Sequence, residues 1–179
     1  MLDFLSAYGA FAPEPISPPE VPGAFRRLLD HQGSMTSVLS AYWGTGIVAD
    51  VTCHGLSREK VALLRQVILR TEPDRMPVEI AEIRVAAGAF DDALLSRLAG
   101  SPVPFGRSLQ LVGIGFSTEP VGFFKLSASK ALAEAGGVAA GAVMFGRTAR
   151  LLGLDGRLLA ESVEILPRVR EAVREAGIG

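Results

Sequence analysis

One cysteine and two histidines are all this chain offers toward disulfide or transition-metal chemistry. A lone cysteine excludes an internal disulfide and a cysteine-rich zinc site. Cys53 and His54 are adjacent, but neighbours in a strand point to opposite faces, so they do not form a nucleophile–base pair. An excess of one charge is missing too: 18 basic residues face 19 acidic ones, for a net charge of -1. With no basic tract, nucleic-acid binding has no electrostatic footing. No run is long and apolar enough to span a bilayer, and Asp3 stands where a secretory leader carries positive charge. The expectation is a cytoplasmic protein with neither a nucleic-acid nor a membrane partner. A phosphate-cradling glycine loop is also lacking: GIG at residues 113–115 is too short, and GTG at residues 44–46 lacks the third glycine.

What is present suits one globular domain with a hydrophobic core, as a monomer or homodimer: 49% of residues are hydrophobic and 21% charged. Pro13, Pro15, Pro18 and Pro19 mark residues 1–21 as an N-terminal arm, beginning with a short amphipathic helix over residues 2–11, and leave 22–179 as the domain. Helices are expected after Pro22, after Ser34 up to Gly44, over Asp91–Leu98 and over Ser129–Ala135. Strands are expected over Ile47–Thr52, residues 61–70, Val78–Val85 and Phe123–Leu126. SPVPFGRSL at residues 101–109 reads as irregular chain, and residues 168–177 as a charged helix. The strands are spaced too irregularly for a βαβ array, so the class is α+β, an antiparallel sheet with helices packed against it.

Two strands carry the chemistry. In the first, Arg65 shares a face with Val61, Leu63, Val67 and Leu69. A guanidinium there reaches solvent along its stem, pairs internally, or waits for an anionic ligand. The closing hairpin is signalled by Asp155-Gly156, the pair that a two-residue type I′ turn favours. That turn sets Arg150 opposite Glu161 and Arg147 opposite Glu164, each pair on its own face of the ribbon. Glu161, with Leu159, Val163 and Ile165 beside it, reads as the carboxylate in apolar surroundings, where burial raises its pKa. The Arg150–Glu161 pair also has a purely structural reading.

LLDHQGSMT at 28–36, LLRQVILR at 63–70, the strand after Pro77, VPFGRSL at 103–109 and FGRTARLLGLDGRLLAESVEILP at 145–167 occur in an order that resembles the chorismate pyruvate-lyase family. More remotely, they resemble the ligand-binding domains of certain bacterial transcription regulators. The resemblance covers roughly residues 25 to 167. It implies a chorismate lyase-like fold and a cofactor-free, metal-free enzyme that cleaves chorismate or a related cyclic carboxylate to a hydroxybenzoate and pyruvate. Arg65 then falls on the family's carboxylate-binding arginine, Met35 on a pocket methionine, and Phe105 with Gly106 on a turn whose amide holds a ligand carboxylate. The family's acid falls, without gaps, on Val163. Glu161 keeps its facing and is expected as the proton donor, with Glu164 adjacent on the other face. Glu82 replaces an arginine common in the family, which disfavours a dianionic substrate. The catalytic candidates are therefore Glu161 and Arg65, and the substrate-binding candidates are Met35, Arg65, Phe105, Gly106, Glu82 and Glu164, with no metal or cofactor. Two other readings stand beside the lyase: a cyclase or isomerase of a natural-product intermediate, and a non-catalytic module that binds a small carboxylate. No helix-turn-helix segment is evident ahead of the domain, so a complete regulator is not expected.

Overall fold

A computed structural model of the chain describes residues 2–9, 13–56 and 62–170. Its elements are α1 (Leu2–Ala7), β1 (Glu14–Ile16), α2 (Gly23–Leu29), α3 (Met35–Trp43), β2 (Ile47–Leu56), β3 (Ala62–Thr71), β4 (Pro77–Ala86), α4 (Asp92–Gly100), α5 (Phe105–Leu111), β5 (Phe116–Ser127), α6 (Lys130–Gly136), β6 (Val143–Gly153) and β7 (Leu158–Leu166). The seven strands make one antiparallel sheet in the order β1-β5-β6-β7-β4-β3-β2. This is the α+β architecture expected.

Strand alternation gives the sheet two apolar faces. On the inner face, Leu28, Leu29, Met35 and Leu39 from α2 and α3 pack on Val67, Leu69 and Ala81. Beside them Leu98, Phe105 and Leu109 from α4 and α5 pack on Leu63, Val85 and Leu151. On the outer face, Phe4, Leu5, Leu132 and Ala133 from α1 and α6 cover Ile80, Phe124, Met144, Val163 and Ile165. Each leucine, isoleucine, valine, methionine or phenylalanine side chain fully buried this way contributes about 1.5–3 kcal/mol. The outer cover is the smaller one: Glu82, Arg84, Thr148, Arg150 and Glu161 line an open hollow beyond it.

Several segments differ from expectation for identifiable reasons. Residues expected as an arm take part in the fold, since Phe4 and Leu5 are buried and Glu14–Ile16 pairs with β5. β1 is an edge strand, where proline costs no ladder bond. β5 is far longer than Phe123–Leu126, because Pro120 falls at a register shift against β6. The stretch expected to be irregular contains α5, which starts directly after Pro104. After Pro167, residues 168–170 are not helical, and the rest of the expected terminal helix lies outside the described residues. So do residues 10–11 of the expected first helix.

The closing hairpin keeps the expected pairing by a different route. Its loop has three residues, 154–156, closed by hydrogen bonds from Gly156 N–H to Gly153 O and from Gly153 N–H to Arg157 O. Gly156 takes a positive φ of 78°, the left-handed position that three-residue hairpins require. One bulge between Leu151 and Leu152 then absorbs the extra residue, so Arg150 still faces Glu161 and Arg147 still faces Glu164.

Candidate functional site

The inner face of the sheet carries charge in its middle. Arg147 on β6 is 0% exposed, and its Nε donates to Glu164 Oε2 on β7 at 2.6 Å. Arg147 Nη1 also donates to the carbonyl oxygens of Leu29 at 2.5 Å and His31 at 3.2 Å, which ties the loop between α2 and α3 to the sheet. The other Glu164 oxygen accepts from Ser162 Oγ at 3.0 Å. Both Glu164 oxygens are therefore satisfied, while Arg147 Nη2 is buried without a partner among the described residues. His31 above it is pulled down to about 4 by burial and then by the Arg147 charge, so its imidazole is neutral at pH 7.

A second carboxylate lies on the same face. Register puts Ala81 opposite Glu164, and Glu79 two residues back along β4, diagonal to it. Glu79 is 2% exposed and its Oε2 has no hydrogen-bond partner among the described residues. Burial, and next the adjacent Glu164 charge, push its pKa well above the ordinary carboxylate range, with Arg147 pulling the other way.

Over this floor the first residues of α3 and α5 form a roof. Ser34, Met35 and Thr36 at the start of α3, with Pro104, Phe105 and Gly106 at the start of α5, enclose a cavity above Val67, Leu69, Glu79, Ala81, Ile83, Ser162 and Glu164. The first N–H groups of a helix lack intrahelical acceptors, and no side chain caps either helix start. The helices meet closely at Gly106, where a Cβ would lie 2.7 Å from Ser34 Oγ and 3.2 Å from Phe116 Cζ. Glycine there lets the two helix starts share one roof. The cavity volume is about 40 Å³, room for only a few heavy atoms.

Of the residues singled out in the sequence, Met35, Phe105, Gly106 and Glu164 come together at this cavity. Arg65 is on the same face and 0% exposed, but its Nη2 donates to Ser101 O at 2.5 Å and Val103 O at 3.2 Å. It thus holds the segment leading into α5 and does not line the cavity. Glu82 and Glu161 are on the outer face. Glu82 accepts from Gln66 Nε2 at 2.9 Å. Glu161 is not in apolar surroundings: it is about half exposed, 3.9 Å from an equally exposed Arg150. The outer helices stop short of it: they cover Val163 and Ile165, while Leu159 belongs to the inner cluster with Leu151. Val163, the ungapped match to the family's acid, is buried in the outer apolar cluster. Sequence reasoning missed Glu79 and undervalued Arg147. Both stand on apolar alternations like that of Arg65, and that signal was present. No cluster of three metal-ligating side chains occurs among the described residues.

No protein-family profile matches the chain, and no curated protein does. Solved structures do. The effector domain of PhnF from Mycobacterium smegmatis aligns over 86% of this chain and 91% of its own, with a TM-score of 0.59 at 14% identity. A PhnF structure from the same organism covers 81% of this chain and 69% of its own, at 0.60 and 16%. The ligand-binding domain of a GntR-family transcriptional regulator from Bordetella bronchiseptica covers 70% of this chain and 90% of its own, at 0.50 and 14%. The expectation of a chorismate lyase releasing pyruvate and a hydroxybenzoate is overturned by these neighbours, which are named as an effector domain, as PhnF and as the ligand-binding domain of a transcriptional regulator, and none of the three as a lyase. Among the described residues no helix is long and apolar enough to cross a membrane. The chain has the α+β fold that these regulator ligand-binding domains share.

Proposed function

We propose that this chain is a ligand-binding module of the effector-domain type, which takes a small organic carboxylate in the cavity between the sheet and the starts of α3 and α5. One observation carries this reading: two uncapped helix starts open onto an enclosed space whose floor is a buried polar network. The partial positive charge at a helix start favours an anion, and backbone N–H groups there give it hydrogen bonds. Met35, Val67, Leu69, Phe105 and Phe116 supply apolar walls for the rest of the ligand. Arg65 serves this site as a positioning residue: by holding Ser101 and Val103 it fixes where Phe105 and Gly106 emerge. A net charge of -1 gives the chain no overall electrostatic attraction to DNA.

The test is calorimetric titration with acetate, propionate, butyrate and benzoate, with the matching primary amides as uncharged controls. Binding of one or more acids but not of the amides is expected. Ala81→Val adds two methyl groups at the cavity floor on a strand that tolerates β-branching. It should weaken that binding at least tenfold while leaving thermal stability unchanged. Equal binding of acids and amides, or full affinity in Ala81→Val, overturns the assignment.

A further inference from the structure

Glu79 has no use in a site that only holds an anion. Its carboxyl lines the cavity, almost wholly out of water, with Oε2 unpartnered among the described residues. Around it, Arg147 gives Nε to Glu164 and Nη1 to two backbone carbonyls, and its Nη2 has no partner among the described residues. Arg65 is held by Ser101 and Val103, away from the cavity lining. If Glu79 and Glu164 are both ionised, the Arg147 set carries one negative charge in excess. An unpaired carboxylate is costly in such a place, so burial and the Glu164 charge favour the protonated form of Glu79. The direction of its pKa agrees with that.

Building on the carboxylate reading of the roof, we propose that the opposite end of the ligand is a primary ammonium group seated on Glu79, so that the ligand is a small aminocarboxylate. An ammonium brings three donors and one positive charge. It fills the unpartnered oxygen and cancels the excess charge together, whereas a hydroxyl fills the hydrogen bond and leaves the charge. Roof and floor then divide the ligand by sign: the carboxylate meets the helix starts at Ser34–Thr36, and the ammonium meets Glu79 on the sheet. When the ligand enters, Glu79 releases its proton to solvent and the ammonium takes that proton's place. The charged groups facing Glu79 are Glu164 from β7 and Arg147 from β6. His31, beside that pair, stays neutral above a pH of about 4 and takes no part near neutrality.

The experiment is calorimetric titration of the full chain at pH 7 with L-alanine, β-alanine and 4-aminobutyrate. Propionate and butyrate serve as counterparts without the amine, and isopropylamine, propylamine and butylamine as counterparts without the acid. Each titration is run in phosphate and in Tris to count protons released. At least one aminocarboxylate should bind tenfold or more tightly than both of its counterparts and release close to one proton. Glu79→Gln should keep the affinity for propionate or butyrate, lose the tenfold preference and the proton release, and melt no lower than wild type. Carboxylates bound without preference for the amine would overturn the inference and leave the carboxylate site standing. A preference that survives in Glu79→Gln also overturns it. So does a variant that melts lower than wild type, which would make Glu79 a structural partner of Arg147. If no probe binds, the carboxylate site falls and this inference falls with it.

Discussion

The closing hairpin contains two arginine–glutamate rungs three residues apart, and they share only their composition. Arg147–Glu164 lies under two helices with side chains 0% and 8% exposed at 2.6 Å. Arg150–Glu161 lies on the other face with side chains 52% and 51% exposed at 3.9 Å. The inner rung also holds the Leu29 and His31 carbonyls and a serine hydroxyl, while the outer pair stands in solvent. Strand pairing decides who faces whom. What the pair is worth depends on which helices cover it.

The sharpest way to break the comparison is Arg147→Met. It strands Glu164 in the interior without its cation, and loss of about 3–5 kcal/mol is expected by chemical denaturation. A loss under about 1 kcal/mol would show that Glu164 reaches water. Adding Glu164→Leu to that variant should recover most of the loss, since a buried pair replaced as a whole by apolar side chains of similar size is often neutral. Failure to recover would mean that the carbonyls of Leu29 and His31 carry the cost.

Glu79→Gln comes next, and its sign depends on pH. A carboxyl whose folded pKa is raised stabilises most below its unfolded value near 4.5, and that stability is lost as pH rises through the folded value. Thermal melts should therefore show Glu79→Gln more stable than wild type at pH 8, with the gap closing as pH falls toward 4.5. A gap that is constant with pH would contradict a protonated Glu79. The smallest effect belongs to the outer rung: Arg150→Ala should change stability by no more than about 0.5 kcal/mol, with little dependence on salt. A cost comparable to that of Arg147→Met would erase the distinction between the faces.

The sequence shows the pairing of both rungs and hides their burial. Asp155-Gly156 announces the turn, and although the loop is one residue longer, the compensating bulge restores the register beyond it. Which rung is buried follows from α2 and α3 docking on one face, contacts more than a hundred residues away in sequence. Glu161 was misread for that reason: local apolar neighbours say nothing about where the outer helices stop. Met35, Phe105 and Gly106 were legible through the family resemblance, since no local pattern brings residues 34–36 and 104–106 to one cavity. Glu79 was legible in principle, as a charge in the alternation Glu79-Ala81-Ile83-Val85 that reads as apolar. α5 was hidden because two prolines and a glycine suggest broken chain, although proline is welcome at a helix start.

Arg147 and Arg65 have one further consequence together. Each reaches up from the sheet to hold backbone carbonyls of a different roof segment, Leu29 and His31 for one, Ser101 and Val103 for the other. A roof moored from beneath cannot fray separately from the strands that moor it. Amide hydrogens at the starts of α3 and α5 should then exchange with the sheet as one cooperative unit. A ligand that pulls on the roof pulls equally on β3 and β6, and the sheet becomes the part of the molecule through which occupancy is felt at a distance.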